Sequence, residues 1–365
     1  MKFGYSFWGF TADRKFEGGR EVSTPDGNAA YSWSILWEAQ RRSWKTYLLQ
    51  KDRDSEYIYN TYNPFDCFSS VKRLSAWNNV ENVYDEFPKL DVLLLEWRFP
   101  IPGRNIDVSK DDPNYQPDLD RQLEILNHYK GTNTKIIIWD LDHKLTAKDE
   151  WKWKPDAIFE TSAQPLELSR KRIRVEPPIV IDELLQFETL PVNRKRKLVY
   201  IGSRYERDDV IEEWIKPVSE EYPFQVEFWG NWTREPILTE CREMWPYISY
   251  NKRVTMSDFR EVYGNAVACP LLGKKSYLSS GFITPRPWEA LMFGTIPIGL
   301  EGHLGVDDYT LFTARDSDDM IDIIDYLSSV DLRERDDIRK QNVEKIRFMD
   351  VKNFINEVEK VIHGR

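Results

Sequence analysis

The residues with the most chemical promise lie in Phe282-Ile-Thr-Pro-Arg-Pro-Trp-Glu289, which runs into Ala290-Leu-Met-Phe-Gly294 and the apolar Thr295-Ile-Pro-Ile-Gly299. Thr284 is placed to cap a helix whose first turn carries the prolines, and Gly294 to end it. Arg286 and Glu289 then share one face of that first turn. A helix N-terminus attracts anions through its free N–H groups and its dipole, and an arginine there strengthens the attraction. A phosphate would repel Glu289, whose carboxylate suits instead the hydroxyls of a ribose diol. Arginine for phosphate and carboxylate for ribose, three residues apart, read together as a nucleotide site. A surface helix with an i,i+3 ion pair is the plainer alternative.

Two further stretches carry candidate chemistry. The apolar run 198–201 leads into Gly202-Ser-Arg-Tyr-Glu-Arg207 and then a helical pattern. Gly202 permits close backbone approach, Ser203 offers a donor, and Arg204 and Arg207 offer charge-assisted bonds, so the turn suits a phosphate. A structural turn with exposed arginines competes with that reading. Asp140 and Asp142 follow the apolar run 135–139, at the carboxyl edge where α/β sheets keep their sites. Three uses are open to them: a general base, a metal-binding Asp-x-Asp for Mg²⁺ or Mn²⁺, or turn capping. His143 is a further candidate base.

These residues need a scaffold, and the pattern supplies one. Residues 2–7, 46–49, 90–96, 135–139 and 157–159 read as strands, with helices over 30–43 and 118–129. The strands are continuously apolar rather than alternating, as a parallel sheet covered on both faces requires. A Pro-rich break at Glu176-Pro-Pro178 and the charged stretch 191–197 mark a linker. The pattern then restarts with strands over 198–202, 225–230, 266–272 and 296–300, and helices over 208–218 and 285–293. Met320, Ile323, Ile324 and Leu327 give another helical face. The expectation is an α/β chain of two Rossmann-like domains: residues 1–185 on the acceptor side and 192–346 for the nucleotide sugar. The last helix, about 347–365, packs back on the first. Ligands in such sheets bind beyond the carboxyl strand ends.

At 365 residues, two domains are expected, and 41% hydrophobic with 31% charged residues is a globular composition without a disorder signature. No apolar run approaches a membrane span. Cys67, Cys241 and Cys269 lack metal spacing and read as reduced thiols in a cytosol, and a monomer is the expected state. The net charge of −10 argues against nonspecific, charge-driven nucleic-acid binding. Basic clusters nevertheless occur at Arg41-Arg42 with Lys45, at Arg170-Lys-Arg-Ile-Arg174, and at Arg194-Lys-Arg-Lys197. No G-x-G-x-x-G follows any strand, which disfavours a dehydrogenase.

In order and spacing, Leu198-Val-Tyr-Ile-Gly-Ser-Arg204, Val226-Glu-Phe-Trp-Gly-Asn231, Phe282 to Glu289 and residues 319–346 resemble the DNA β-glucosyltransferases of T-even bacteriophages. The first half follows through residues 91–95, 118–129 and 135–140. The resemblance implies a glycosyltransferase-B fold, a UDP-sugar donor (UDP-glucose above all) and inverting transfer of a sugar to hydroxymethylated pyrimidines in DNA. It implies that Arg204, Arg207 and Arg286 contact the diphosphate, Glu289 the ribose, and Gly230 the nucleotide. Asp140 falls where the family has its catalytic aspartate, and Asn28 where it has an acidic residue near the sugar. With three arginines on the diphosphate, a metal on Asp140 and Asp142 is redundant for leaving-group charge, though it could assist product release. DNA would then meet Arg41, Arg42, Arg170 and Arg172 on the half holding Asp140. A saccharide or small-molecule acceptor, and a non-catalytic carbohydrate or modified-base module rich in tryptophan, are the rival readings.

Overall fold

A computed structural model describes residues 1–7, 15–17, 20–22, 27–49, 79–83, 85–103, 105–112, 115, 117–161, 171–182, 194–254 and 256–364, of which 15–17, 20–22, 27–29 and 256–257 are described by backbone alone. The chain forms two units, Met1–Pro178 with Val351–Arg365, and Ile179–Asp350.

The first unit is built on strands β1 (Lys2–Ser6), β4 (Lys45–Leu48), β5 (Val80–Asn82), β6 (Val92–Glu96), β7 (Lys135–Asp140), β8 (Ala157–Glu160) and β9 (Arg172–Arg174). They pair in the order β5-β4-β1-β6-β7-β8-β9, all parallel, while β2 (Lys15–Glu17) and β3 (Arg20–Val22) form a separate hairpin. Every residue of β6 is buried, as is β7 after Lys135, because helices cover both faces of a parallel sheet. Helix α1 (Gly27–Arg41) follows the carboxyl edge of β1 and returns the chain to the amino edge of β4. Helix α2 (Asp118–Tyr129) has the bounds its apolar spacing predicts, and α3 (Ala147–Trp153) starts with a capping box between Thr146 and Asp149.

In the second unit β10 (Arg196–Ile201), β11 (Val226–Trp229), β12 (Ile248–Asn251), β13 (Ala266–Pro270), β14 (Ile296–Leu300) and β15 (Thr313–Ala314) are ordered β12-β11-β10-β13-β14-β15, again parallel. That is the 3-2-1-4-5-6 order of a doubly wound dinucleotide fold. Its helices are α4 (Asp208–Val210), α5 (Lys216–Glu221), α6 (Ile237–Met244), α7 (Met256–Gly264), α8 (Lys275–Ser280), α9 (Arg286–Met292), α10 (Ser317–Ser329) and α11 (Leu332–Lys345), with a π-helical turn at Ile211–Ile215. Helix α12 (Val351–His363) belongs to the first unit. Phe354 packs against Trp139 and Phe159 at ring separations of 4.9 and 5.3 Å, and Glu359 pairs with Arg42 at 2.9 Å.

Candidate functional site

The strand order of the second unit reverses between β10 and β13, and the crevice at their carboxyl ends is where such sheets bind ligands. Arg286, the first residue of α9, reaches that point. Its Nε donates to the Ile201 carbonyl at 2.8 Å, its Nη1 to Thr284 Oγ1 at 2.7 Å, and its guanidinium lies 4.7 Å from the Tyr200 ring. Thr284 is therefore not a helix cap. Pro285 precedes α9 without a side-chain cap bond, and the Thr284 hydroxyl accepts from the guanidinium instead.

Two glycines shape the floor. Gly202 N–H donates to the Trp229 carbonyl at 2.9 Å, and its own carbonyl accepts from Trp232 Nε1 at 2.7 Å. A Cβ at Gly202 would collide with Arg286 Nη2 and the Tyr200 hydroxyl. Gly230, at φ 150°, has a conformation that side chains disfavour, and a Cβ there would strike the Gly202 carbonyl.

The other arginines are partly committed. Arg207 is buried and donates to the carbonyls of Leu272, Ser203 and Tyr205 at 3.2, 3.3 and 2.8 Å, holding the turn it belongs to. Burial, with Arg286 nearby, lowers the pKa of its guanidinium. Arg204 grips Asp208 with two bonds of 2.8 and 2.7 Å and also donates to Glu240, which together raise its pKa. Ser203 and Arg204 line a pocket of about 970 Å³, opposite Lys275, Ser276 and Asn231. Glu289 is buried one helical turn from Arg286, with the Tyr263 hydroxyl donating to it at 3.5 Å. Burial pushes its carboxyl up to about 7.

In the first unit the reversal falls between β1 and β6. Asp140 ends β7 with 1% of its surface exposed, and both carboxylate oxygens accept backbone N–H groups, from Lys144 at 2.8 Å and Leu145 at 3.0 Å. Burial raises its pKa, and the two N–H donors pull the other way. Asp140 therefore ties down the turn that follows β7. Asp142, two residues further on, is half-buried, and His143 Nε2 lies 3.2 Å from the Thr161 carbonyl. Among the described residues no three His, Cys, Asp or Glu side chains group as a metal would need.

Sequence reasoning missed Arg98, which is 2% exposed and lies two residues beyond β6 at the same edge. It donates to Ser6 Oγ at 3.1 Å and to the Phe7 carbonyl, so it braces the β1 end against the β6 end. Beside it the Tyr5 hydroxyl donates to Glu96 at 2.6 Å. Position alone was a usable signal, because an arginine just past a buried parallel strand sits at the sheet's carboxyl edge.

The expected DNA contacts fare differently. Arg41 and Arg42 end α1 and its turn, at the amino edge of the sheet and away from Asp140. Arg42 is held by Glu38 at 2.8 Å, Glu359 at 2.9 Å and Asn356 at 2.8 Å. The Arg172 side chain is 2% exposed between Glu160 at 3.4 Å and Asp140 at 3.8 Å, so it is a buried counter-charge and not a phosphate contact. Arg170 lies outside the described residues. Asn28 is in the first turn of α1, at the carboxyl edge, and its side chain lies outside the description.

No family model and no curated protein matches the chain. Solved structures do, over full length. They include an α-glucosyltransferase in complex with UDP and a 13-mer DNA containing an HMU base (14% identity, TM-score 0.61, 99% of each chain). T4 phage β-glucosyltransferase follows the same course (14% identity, TM-score 0.55, 99% of each chain), as does Anabaena HepE in complex with UDP and glucose (11%, 0.56, 100% of each chain). The chain has the glycosyltransferase-B fold. In this glycosyltransferase-B chain both Rossmann-like units keep their charged residues at the switch points where the fold binds ligands, and Arg286 with Glu289 lies in the second of them.

Proposed function

We propose that this chain transfers a sugar, glucose first among candidates, from UDP to a hydroxymethylated pyrimidine in DNA. The observation that carries the donor half is Arg286, tied to the end of β10 and poised over Gly202, with Glu289 one turn behind it. That arrangement suits a diphosphate against the guanidinium and the ribose diol against the carboxylate. Arg207, Ser203 and Gly230 shape the same turn, and Arg204 contributes from the pocket wall. Fold likeness to structures holding UDP supports the donor class.

In the reaction the acceptor oxygen attacks the anomeric carbon while its bond to the diphosphate breaks. The electron pair leaves with UDP, where Arg286 and Arg207 stabilise the growing charge. The acceptor proton passes to a base, because a hydroxymethyl group is too weak an acid to ionise alone. The turn after β7 supplies that base. Asp140 was the sequence candidate, but its two N–H bonds and burial suit it to anchoring the turn. Asp142, half-buried two residues further on, is the other carboxylate of that turn and the one we take as the base.

The acceptor rests on likeness to a DNA-bound structure alone, and one observation favours a second reading. Arg42 and Arg172 are consumed by internal carboxylates, which leaves a saccharide or small molecule as an acceptor that needs no phosphate track. Mass spectrometry of hydroxymethyl-DNA incubated with a panel of UDP-sugars decides between them. A mass gain of one hexose supports DNA; UDP-sugar hydrolysis without any gain removes DNA as the acceptor.

A further inference from the structure

The amino edge of the second sheet carries a different concentration of charge. Arg194 lies just before β10 and donates through Nη1 to the carbonyl of Ala266, the first residue of β13. A pocket of about 840 Å³ opens there, lined by Arg194, Lys197, Arg333 and Arg335, with Asp331 the one carboxylate in its wall. Asp331 is occupied as the cap of α11, accepting the Glu334 N–H at 2.8 Å.

The four cations differ in what they have left to give. Arg335 has each guanidinium nitrogen engaged, donating to the carbonyls of Gly294 at 3.3 Å, Leu327 at 2.8 Å and Val267. Lys197 donates to Ser328 Oγ at 2.9 Å and has Asp325 at 3.7 Å. Arg333 is exposed. Arg194 stands apart, because its Nε and Nη2 are buried and meet no acceptor. Burial pulls Arg194 down to about 10 and Arg335 down to about 9, the latter with help from the Arg194 charge. A buried guanidinium with two unused donors beside a like charge is costly unless an anion offsets it.

We infer that this pocket is a second anion site, built for a phosphoryl group and separate from the site at Arg286. A phosphoryl group brings several acceptor oxygens and up to two negative charges, which offset the buried Arg194 charge while Arg333 and Lys197 supply the accessible donors. A carboxylate would satisfy one fork and leave the rest. The phosphoryl group comes either from a free phosphorylated molecule or from a nucleic-acid backbone. The inference does not rest on the transferase reading, since it uses none of the same residues.

The test is calorimetric titration of the full chain with inorganic pyrophosphate, in buffer saturated with UDP to occupy the Arg286 site. Binding that persists under UDP is expected. Arg194→Gln and the exposed Arg333→Ala should each weaken it by about tenfold, the worth of one charge-assisted bond, while UDP affinity stays as in wild type. Arg333→Ala keeps the test informative if Arg194→Gln impairs folding. A short DNA duplex added last assigns the source: displacement of pyrophosphate points to a backbone phosphate, and its failure to a free anion. Absence of UDP-resistant binding, or equal binding in both variants, overturns the site. Should UDP itself fail to bind, the donor reading falls, and the response of pyrophosphate binding to these two variants still decides this one.

Discussion

Arg286 Nε donates to the carbonyl of Ile201 at 2.8 Å, joining the first turn of α9 to the last residue of β10 across 85 positions of sequence. The bond fixes where the guanidinium can present its remaining edge. Arg286→Ala should weaken UDP binding by about 1.5–3 kcal/mol, the worth of a hydrogen bond to a charged group. Arg286→Lys should recover only part of it, because an ammonium cannot bridge Ile201, Thr284 and a phosphate together. Calorimetry giving equal UDP affinity in wild type and Arg286→Ala would remove the donor site from this turn.

If Glu289 holds the ribose, donor binding is pH-dependent. Its carboxyl, raised to about 7 by burial, holds a proton in the folded protein that the unfolded chain releases near the ordinary value of 4.5. The stability it contributes is therefore full below 4.5 and is lost as pH rises to 7. Glu289→Gln should flatten that part of the stability curve, measured by chemical denaturation between pH 4.5 and 8. UDP affinity should rise with pH more steeply in wild type than in Glu289→Gln, since the ionised carboxylate accepts from the ribose hydroxyls. The comparison cancels the titration of the phosphate itself. Parallel curves for the two proteins would deny Glu289 the ribose.

If Asp140 anchors the turn after β7 and Asp142 takes the proton, the two carboxylates respond differently to substitution. Asp142→Asn should lower turnover by about 10²–10⁴-fold at nearly unchanged UDP affinity and thermal midpoint. Asp140→Asn should lower the midpoint as well, because an amide keeps one acceptor oxygen for the two N–H groups of Lys144 and Leu145 and sets an N–H donor against the other. A stable Asp140→Asn protein with the larger loss of turnover would return the base to Asp140.

Gly230→Ala should destabilise the second unit by about 1–3 kcal/mol, since both its φ of 150° and the nearby Gly202 carbonyl oppose a Cβ. UDP binding should fall with it. Denaturant midpoints and calorimetry on one preparation check both, and an unchanged midpoint would mean that the backbone at Gly230 relaxes freely.

Reversing Arg42 to Glu should cost stability rather than acceptor affinity. The new carboxylate would face Glu38 and Glu359, the present partners of the guanidinium. A fall of the melting midpoint with an unchanged KM for DNA is expected; a raised KM in a fully stable variant would restore Arg42 to the acceptor surface.

The central strands were legible because a strand buried on both faces has little choice of residue, as in Val92–Glu96 and Ile296–Leu300. Edge strands were not. Residues Ile248–Asn251 and Arg172–Arg174 are polar, half-covered, and look like loop or surface charge when read locally. The site divides in the same way. Arg286 with Glu289 is a local pattern on one helix turn, whereas the burial of Arg172 between Asp140 and Glu160 depends on three strands meeting. The Asp140 carboxylate was visible, but its capture by the N–H groups of Lys144 and Leu145 depends on the path of the turn, which residue types alone leave open.

The return of α12 to the first unit has a consequence for how the chain is made. Phe354 closes over Trp139 and Phe159, on the strands that carry Asp140 and Glu160. A ribosome releases those strands long before it has synthesised Phe354, and the whole second unit is translated in between. Through that interval Trp139 and Phe159 lack Phe354, which α12, 13 residues long, supplies last. Synthesis order thus makes the second unit the first to be finished, and a chain stopped at Asp350 would leave the Asp140 strand without its cover however well the rest had folded.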